Sequence, residues 1–462
     1  MEQPEFVLIS FPAQGHINPA LRFAKRLIGI GAKVNFITTQ EALSTMNLIP
    51  SCNGLSISSF EDYDDETGKV NPEVQMLELK RRSSEFLNDF IVSKEKEGNP
   101  INCVIYTLLL PWVAEVARGL HVPVAMLWIQ PATVLNIYYY YFRGYGDTII
   151  KAVDDHNSIE LPGLPLLSGD DLPSFLLPSN PYLGVLPSLQ EHIDALEVGI
   201  RNTILVNTFE ELEAEALRAV ERFDMVPIGP LIPSAFLDGK DPSDKSLGGD
   251  LFDASTDYIE WLDSKPLSSV VYVSFGTLAV LTKRQMEELA RGLLDSGYPF
   301  LWVIRDKEKK GEEVVEEEKL SCREELEQQG KIVKWCLQLE VLSHPSLGCF
   351  LTHCGWNSTL ESLVSGVAMV GFPQWSDQPT IAKLIQDVWK VGVRVKLNEE
   401  GIVERKEIKR CLDQVMVSSE KGEEFRRNAR KWRGLAREEV KEGGLSDRNL
   451  RAFVEEVTQG RS

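Results

Sequence analysis

The chain has 462 residues, of which 43% are hydrophobic and 26% charged, and a formal net charge of -20. It is too long for one small core, so two domains are expected, and the composition is that of a soluble globular protein. The acidic balance excludes a nucleic-acid partner, which needs a basic surface, and leaves any bound anion to be held by local dipoles and hydrogen bonds. The seven cysteines (52, 103, 322, 336, 349, 354 and 411) are scattered, with no CxxC pair. That predicts reduced thiols in a reducing, cytoplasmic compartment, with no disulfide framework and no zinc site. Glu2 and Glu5 stand where the basic start of a secretory signal would be, so none is expected. Residues 122–142 carry no charge but contain Pro123, Gln130, Pro131, Thr133 and Asn136. They read as a buried strand followed by a buried helix rather than a membrane span.

In chain order, residues 6–10 (FVLIS) form a buried strand. A loop, FPAQGHI, follows, and Asn18 with Pro19 reads as the N-cap and first position of a helix reaching about residue 30. Residues 33–39 (KVNFITT) give the second strand. This βαβ unit puts His16 in the loop at the C-terminal end of the first strand, where open α/β sheets bind ligands. Further strands are predicted at 56–59, 102–106, 124–128, 204–207 and 225–228, and helices at 73–94, 111–119, 133–144, 189–199 and 210–222. Residues 62–67 read as an acidic loop and 162–187, rich in proline and leucine, as an irregular wall. Residues 230–254, with Pro, Gly and Asp throughout, read as a linker between domains.

A second α/β block begins with a strand at 270–275, a Gly276-Thr277 turn and a helix at 283–295. Strands follow at 300–304 and 391–395, and helices at 381–388, 406–417, 420–442 and 450–459. The charge run 312–319 reads as a solvated segment.

The stretch from Trp335 to Gln378 concentrates the chemistry. Residues 349–352 (CFLT) are a strand, 353–356 a tight turn, and Asn357-Ser358 opens a helix. The first N–H groups of that helix, at Asn357, Ser358 and Thr359, form an anion site with the helix dipole. Gly355 lets the backbone approach closely and His353 adds a donor. Glu361 shares a face with Asn357 and Ser358 and suits ribose hydroxyls. Trp335 can stack on a base, and Asp377 with Gln378 offers the acceptor and amide that a hexose needs. Alone, Trp335 reads more readily as core, His353 as a loop histidine and Asp377-Gln378 as a turn; together they supply base, ribose, phosphate and sugar contacts in one unit.

This 44-residue stretch resembles the signature box of plant UDP-dependent glycosyltransferases (glycosyltransferase family 1), without insertion or gap. The N-terminal FPAQGHINPAL and the SFGT at 274–277 are similar to that family too. The resemblance implies two Rossmann-like α/β domains facing across a cleft (GT-B type). An acceptor-binding domain would span 1–240, with the C-terminal helix 445–462 packing back on it, and a UDP-sugar domain 255–444. It implies that Trp335 stacks on uracil with Cys336 bonding its edge, and that Gln338 and Glu361 hold ribose. Thr277, His353, Asn357 and Ser358 would hold the diphosphate, and Trp356, Asp377 and Gln378 the sugar. Gln378 in the last position is similar to glucose-using members. UDP-glucose is then a co-substrate, with no cofactor, no metal, no membrane segment and a monomeric chain expected.

His16 resembles the family's general base. A neutral imidazole could take a proton from an acceptor hydroxyl as its oxygen attacks the anomeric carbon opposite UDP, giving inversion. The sequence departs from the family at Thr107, where members commonly have an Asp that orients this histidine. A threonine hydroxyl could accept the imidazole N–H but cannot stabilise imidazolium as a carboxylate does. This departure ranks phenols and carboxylic acids, as small lipophilic plant-type acceptors, above aliphatic alcohols. The acceptor pocket is sought at 128–130, 138–142 and 162–187, where core packing is an equal reading. Two other readings stay open here. One is a nucleotide-sugar-binding protein with weak or lost catalysis; the other is an NAD-dependent oxidoreductase, against which stands the lack of GxGxxG after the first strand.

Overall fold

Short apolar runs bounded by Gly, Pro and polar residues dictate the architecture, because strands buried on both faces need near-continuous hydrophobicity. The computed structural model describes residues 3–45, 52–62, 72–154, 157–178, 180, 182, 184–198, 202–237, 239–241, 244, 257–305 and 320–459. The chain divides into two units, 1–251 with 437–462 and 252–436.

In the first unit the strands are β1 (Glu5–Ile9), β2 (Lys33–Thr39), β3 (Leu55–Phe60), β4 (Cys103–Thr107), β5 (Val124–Trp128), the two-residue strands β6 (Ser158–Ile159) and β7 (Leu167–Ser168), β8 (Thr203–Val206) and β9 (Asp224–Pro227). Among the described residues β6 and β7 pair antiparallel, and the others form one parallel sheet in the order β3-β2-β1-β4-β5-β8-β9. The order reverses between β1 and β4, whose register runs from Phe6 opposite Cys103 to Ile9 opposite Tyr106. The core here includes Phe6, Leu8, Leu21, Phe23, Leu27, Phe36 and Ile105.

The first helix begins at Gln14, not at Pro19. Ala13 is its extended N-cap, and the Ala13 carbonyl accepts from the N–H groups of His16 and Ile17 at 2.8 and 2.9 Å. Burying Ile17 with Ala20, Leu21, Ala24 and Leu27 on one i, i+3, i+4, i+7 face draws an extra turn into the helix. His16 therefore stands within the first turn rather than in the loop before it.

The aromatic helix runs over Ala132–Tyr140 and breaks in a wider turn, Tyr141–Tyr145, where Gly144 has φ 98°. A further helix, Gly146–Asp154, was not anticipated. The buried Glu213 carboxylate caps the aromatic helix, accepting from the N–H of Ala132 and Thr133 (both 3.0 Å) and the Thr133 hydroxyl (2.8 Å). The helix expected at 210–222 shrinks to Glu210–Glu213 and a turn at Ala216–Arg218. The Ala216 carbonyl accepts from the Asn136 side chain and, in a tighter turn, from the Ala219 N–H, where an α-helix would continue to residue 220.

The expected linker is not free at its start. Leu231 and Ile232 are buried, and Asp244 accepts from the Ser234 N–H and pairs with Lys25 at 2.7 Å. Residues 245–256, the acidic loop beyond Asp62 and the charge run 312–319 lie outside the described residues.

The second unit repeats the design. Its strands are β10 (Val270–Ser274), β11 (Phe300–Val303), β12 (Lys331–Val333), β13 (Leu347–Thr352), β14 (Ala368–Gly371) and β15 (Gly392–Arg394). They form a parallel sheet in the order β12-β11-β10-β13-β14-β15, reversing between β10 and β13. Strand β14 and the helices Asp257–Asp263 and Arg323–Gln329 had no counterpart in the sequence reading. The chain rejoins the first unit at 437, before the helix Leu445–Gln459. That helix is tied down by Ser446 Oγ donating to the Gly229 carbonyl (2.7 Å), by Asn449 Nδ2 donating to the Pro227 carbonyl (3.0 Å), and by Phe453 against Phe6.

The seven cysteines are unpaired thiols, and six are buried. Among the described residues no helix is long and apolar enough to cross a membrane, and residues 122–142 divide into β5 and the aromatic helix as read from the sequence.

Candidate active site

Each sheet places a constellation at the C-terminal ends of the strands flanking its reversal point, where doubly wound sheets bind ligands. In the second unit this is the Trp335–Gln378 stretch together with the turn after β10.

Here His353 is wedged between two glycines. A Cβ on Gly276 would stand 2.7 Å from His353 Nε2, and one on Gly355 only 2.4 Å from it. Gly276 also has φ 71°, a conformation that favours glycine. Burial pulls the His353 pKa down to about 4, partly opposed by a hydrogen bond to the Ser274 backbone, so the ring is neutral at physiological pH. Its Nδ1 has no hydrogen-bond partner among the described residues.

Cys354 takes a left-handed conformation (φ 65°), and Gly355 is the N-cap of the helix Trp356–Ser365. Gly355 provides no side-chain cap, so nothing in the cap competes with a ligand for the first turn. The helix starts one residue earlier than expected. The Thr359 N–H closes onto the Gly355 carbonyl at 2.9 Å and so cannot serve the anion site. Trp356 is 3% exposed and its ring packs against Trp389, which leaves main-chain atoms as what it can offer a sugar.

Gln338, Ser358 and Glu361 are brought together as anticipated. Gln338 Nε2 donates to Ser358 Oγ (2.9 Å) and to Glu361 Oε2 (2.7 Å), and the Tyr272 hydroxyl donates to Gln338 Oε1 at 3.2 Å. Tyr272 also meets Cys336 Sγ at 3.4 Å. Trp335, half-buried, follows the C-terminal end of β12. Thr277, half-buried after the Gly276 turn, gives its carbonyl to the Arg305 guanidinium.

At the far end, Gln378 Oε1 accepts from the N–H groups of Gln374 (2.8 Å) and Trp375 (3.1 Å), so its amide NH₂ faces away from them. Asp377 is 6% exposed, and desolvation pushes its pKa up to about 7 against the pull of hydrogen bonds from its own backbone and Ser376. Ser376 holds φ 61°.

In the first unit, β1 and β4 end beside one another. The Phe11 N–H donates to Thr107 Oγ1 at 3.0 Å, and Thr107 is fully buried. The Thr107–His16 hydrogen bond that the sequence left open is not made among the described residues; the hydroxyl accepts across the two loops instead. The His16 ring lies 5.1 Å from that of Phe11, and its Nδ1 is buried with no hydrogen-bond partner among the described residues. Burial lowers its pKa to about 4, opposed by the Leu108 backbone.

His192, on the helix Val185–Glu197, was not singled out from sequence. It is 1% exposed, accepts the Leu109 N–H on Nε2 at 2.8 Å, and stacks on Tyr106. The signal was present: a histidine on the apolar stripe Leu189, Ile193, Leu196 of an amphipathic helix. Of the proposed acceptor wall, Trp128, Tyr138 and Tyr140 are buried, with Trp128 Nε1 donating to the Pro131 carbonyl and the Tyr140 hydroxyl to that of Pro162. For these three the packing reading holds.

The comparisons agree with this architecture. The family model described as UDP-glucoronosyl and UDP-glucosyl transferase matches residues 200–431. The chain is 57% identical to phloretin 4'-O-glucosyltransferase of Malus domestica, over 99% of this chain and 98% of that protein. It is 55% identical to crocetin glucosyltransferase, chloroplastic, of Gardenia jasminoides, over 100% of this chain and 98% of that one. Among solved structures, Os79 from O. sativa in complex with UDP superposes with a TM-score of 0.84 at 35% identity, covering 98% of this chain and 100% of the other. Phytolacca americana UGT2 complexed with UDP-2fluoro-glucose and pterostilbene gives 0.82 at 26% identity, with 98% and 100% covered. Two parallel sheets of Rossmann order, full-length identity to glucosyltransferases and the likeness to these GT-B structures lead to one conclusion: the chain belongs to the plant UDP-glycosyltransferase family, whose members transfer glucose from a UDP-sugar to small lipophilic acceptors.

Proposed function

We propose that this enzyme transfers glucose from UDP-glucose, with inversion, to a phenolic hydroxyl or a carboxyl group, with His16 as general base. One observation carries the acceptor class: Thr107 stands where a carboxylate would orient His16 and its hydroxyl accepts from Phe11, so that among the described residues no carboxylate meets His16, whose pKa burial lowers to about 4. A base this weak is poorly matched to an aliphatic alcohol, better matched to a phenol of pKa about 10, and hardly needed by an acid already ionised at neutral pH. Relatives named for phloretin and for crocetin, a phenol and a carboxylic acid, support the same range.

In this reading Trp335 stacks on uracil with Cys336 at its edge, and Gln338 and Glu361 take the ribose. His353, Thr277, Ser358 and Asn357 receive the diphosphate as it departs, while Asp377, the Gln378 amide and the Trp356 main chain hold the sugar. The neutral His353 fits a donor that must not carry its own desolvated charge. In this reading UDP leaves without a resident metal. A monomer in the cytoplasm completes the proposal.

The test is UDP release from UDP-glucose with a matched panel of phenols, carboxylic acids and aliphatic alcohols. Phenols and acids are expected to turn over and alcohols to lag. Brisk, His16-dependent transfer to alcohols alone overturns the acceptor class. Preference for UDP-galactose or UDP-glucuronate over UDP-glucose overturns the role given to Gln378.

A further inference from the structure

We infer that Arg305 is a positioning residue for the leaving diphosphate: it holds Thr277 by its carbonyl and brings a positive charge to that end of the donor site. This rests on the reading of Thr277 and the Trp335–Gln378 stretch as the donor site, and it gives a role to a strand end that otherwise has none.

Four neighbouring parallel strands, β12-β11-β10-β13, end on one edge of the second sheet. Just beyond those ends stand Trp335, Arg305, Thr277 and His353, in that order across the sheet. Trp335 is read as meeting the base, and Thr277 and His353 the diphosphate, so Arg305 lies between them. Its guanidinium reaches to the loop after the adjacent strand and donates to the Thr277 carbonyl.

That loop has little else to hold it at this point. Gly276 has φ 71°, and its N–H reaches Ser274 Oγ only at 3.5 Å. Of the next four residues past Thr277, Leu278 and Val280 are exposed, while Ala279 and Leu281 pack against the core. Packing thus fixes the loop beyond Thr277, and the charge-assisted hydrogen bond from Arg305 fixes Thr277 itself.

The charge is also unspent. Arg305 is half-buried, and among the described residues no carboxylate pairs with it. The chain has 69 acidic against 49 basic residues, so partners are abundant; Arg143, by contrast, pairs with both Asp194 and Glu197. A guanidinium stays protonated in proteins, and a half-buried one without a counter-ion favours an anion beside it. Its rigid fork carries five N–H donors, so it can meet a phosphate oxygen while still holding the Thr277 carbonyl. Near it, His353 is neutral, Lys334 is exposed, and the start of the helix Trp356–Ser365 supplies a partial charge of about +0.5. When the bond from the anomeric carbon to the β-phosphate oxygen breaks, its electron pair passes to that oxygen. A fixed positive charge at this end of the site stabilises the charge that results.

The experiment measures inhibition of the full-length enzyme by UDP and by uridine, which keeps the base and ribose but lacks the diphosphate. It compares wild type with Arg305→Met and Arg305→Lys. Arg305→Met is expected to raise Ki for UDP by about ten-fold or more with Ki for uridine within about two-fold. Arg305→Lys, which keeps the charge and a donor, should recover most of the loss. A merely structural role would weaken both ligands together. Unchanged Ki for UDP in Arg305→Met, an equal rise for uridine, or no recovery in Arg305→Lys overturns the inference. Trp335→Ala in the same assay separates the two readings. Unchanged Ki for both ligands there defeats the donor site itself, whereas a damaged Trp335→Ala beside a silent Arg305→Met defeats the role of Arg305 alone.

Discussion

Gly355→Ala isolates the wedge that holds His353. Gly355 has φ -63° and ψ 142°, a conformation open to any L residue, so the substitution adds no backbone strain. What it adds is a methyl 2.4 Å from His353 Nε2 and 3.0 Å from Cε1. Restoring van der Waals separation moves the ring by about 1 Å, enough to break its bond to the Ser274 backbone and its proposed bond to the diphosphate. A hydrogen bond to a charged group contributes about 1.5–3 kcal/mol, so UDP affinity should fall by roughly 10- to 150-fold. The loss of a glycine N-cap accounts for only part of about 1 kcal/mol in stability. Calorimetric titration of UDP into wild type, Gly355→Ala, His353→Ala and the double variant provides the cycle. Because alanine at 353 removes the clashing ring, the double variant should bind UDP no worse than His353→Ala alone. Unchanged affinity in Gly355→Ala, or additive losses in the double variant, refutes the wedge.

Four further outcomes are expected. With saturating UDP-glucose and a phenol, kcat should stay level through pH 6.5 and fall only toward about pH 4, because burial lowers the His16 pKa; an acid limb near 6.5 contradicts this. The same depression, shared by His353, favours unfolding as pH is lowered from about 6.5 to 4, opposed by the raised Asp377, so the loss of Tm across that window should be smaller in His16→Ala than in wild type. Asp377, raised to about 7, should make KM for UDP-glucose fall as pH rises through 7 and the carboxylate forms, and Asp377→Asn should flatten that dependence. Glu213→Ala strips the acceptor from two N–H groups and a hydroxyl at the start of the aromatic helix and should cost about 2–4 kcal/mol, seen as a Tm several degrees lower.

Patterns of sequence-local origin were legible. Runs such as KVNFITT and VAMLW became β2 and β5 over the very residues read, since a buried parallel strand is written almost wholly in its own side chains. The grouping of Gln338 with Glu361 was legible for the same reason: both come from one βαβ unit, and in the structure they meet, with Ser358 beside them. What escaped depends on distant partners. Glu213 looked like one more charge on an amphipathic helix, but it is drawn inward by N–H groups some 80 residues away. β14 was not read as a strand, although β8, β9 and β11 of the same length were. Pro19 suggested a helix start, but burial of Ile17 outweighed it. His192 acquires its meaning only from Leu109, 83 residues earlier, and the Thr107 hydroxyl serves Phe11 rather than His16.

The central claim is that His16 removes the acceptor's proton. The most direct measurement is kcat of His16→Ala with a phenol acceptor, alongside its UDP affinity. The account predicts a fall in kcat of about 10²- to 10⁴-fold with UDP binding unchanged. Near wild-type turnover with intact UDP binding would contradict it.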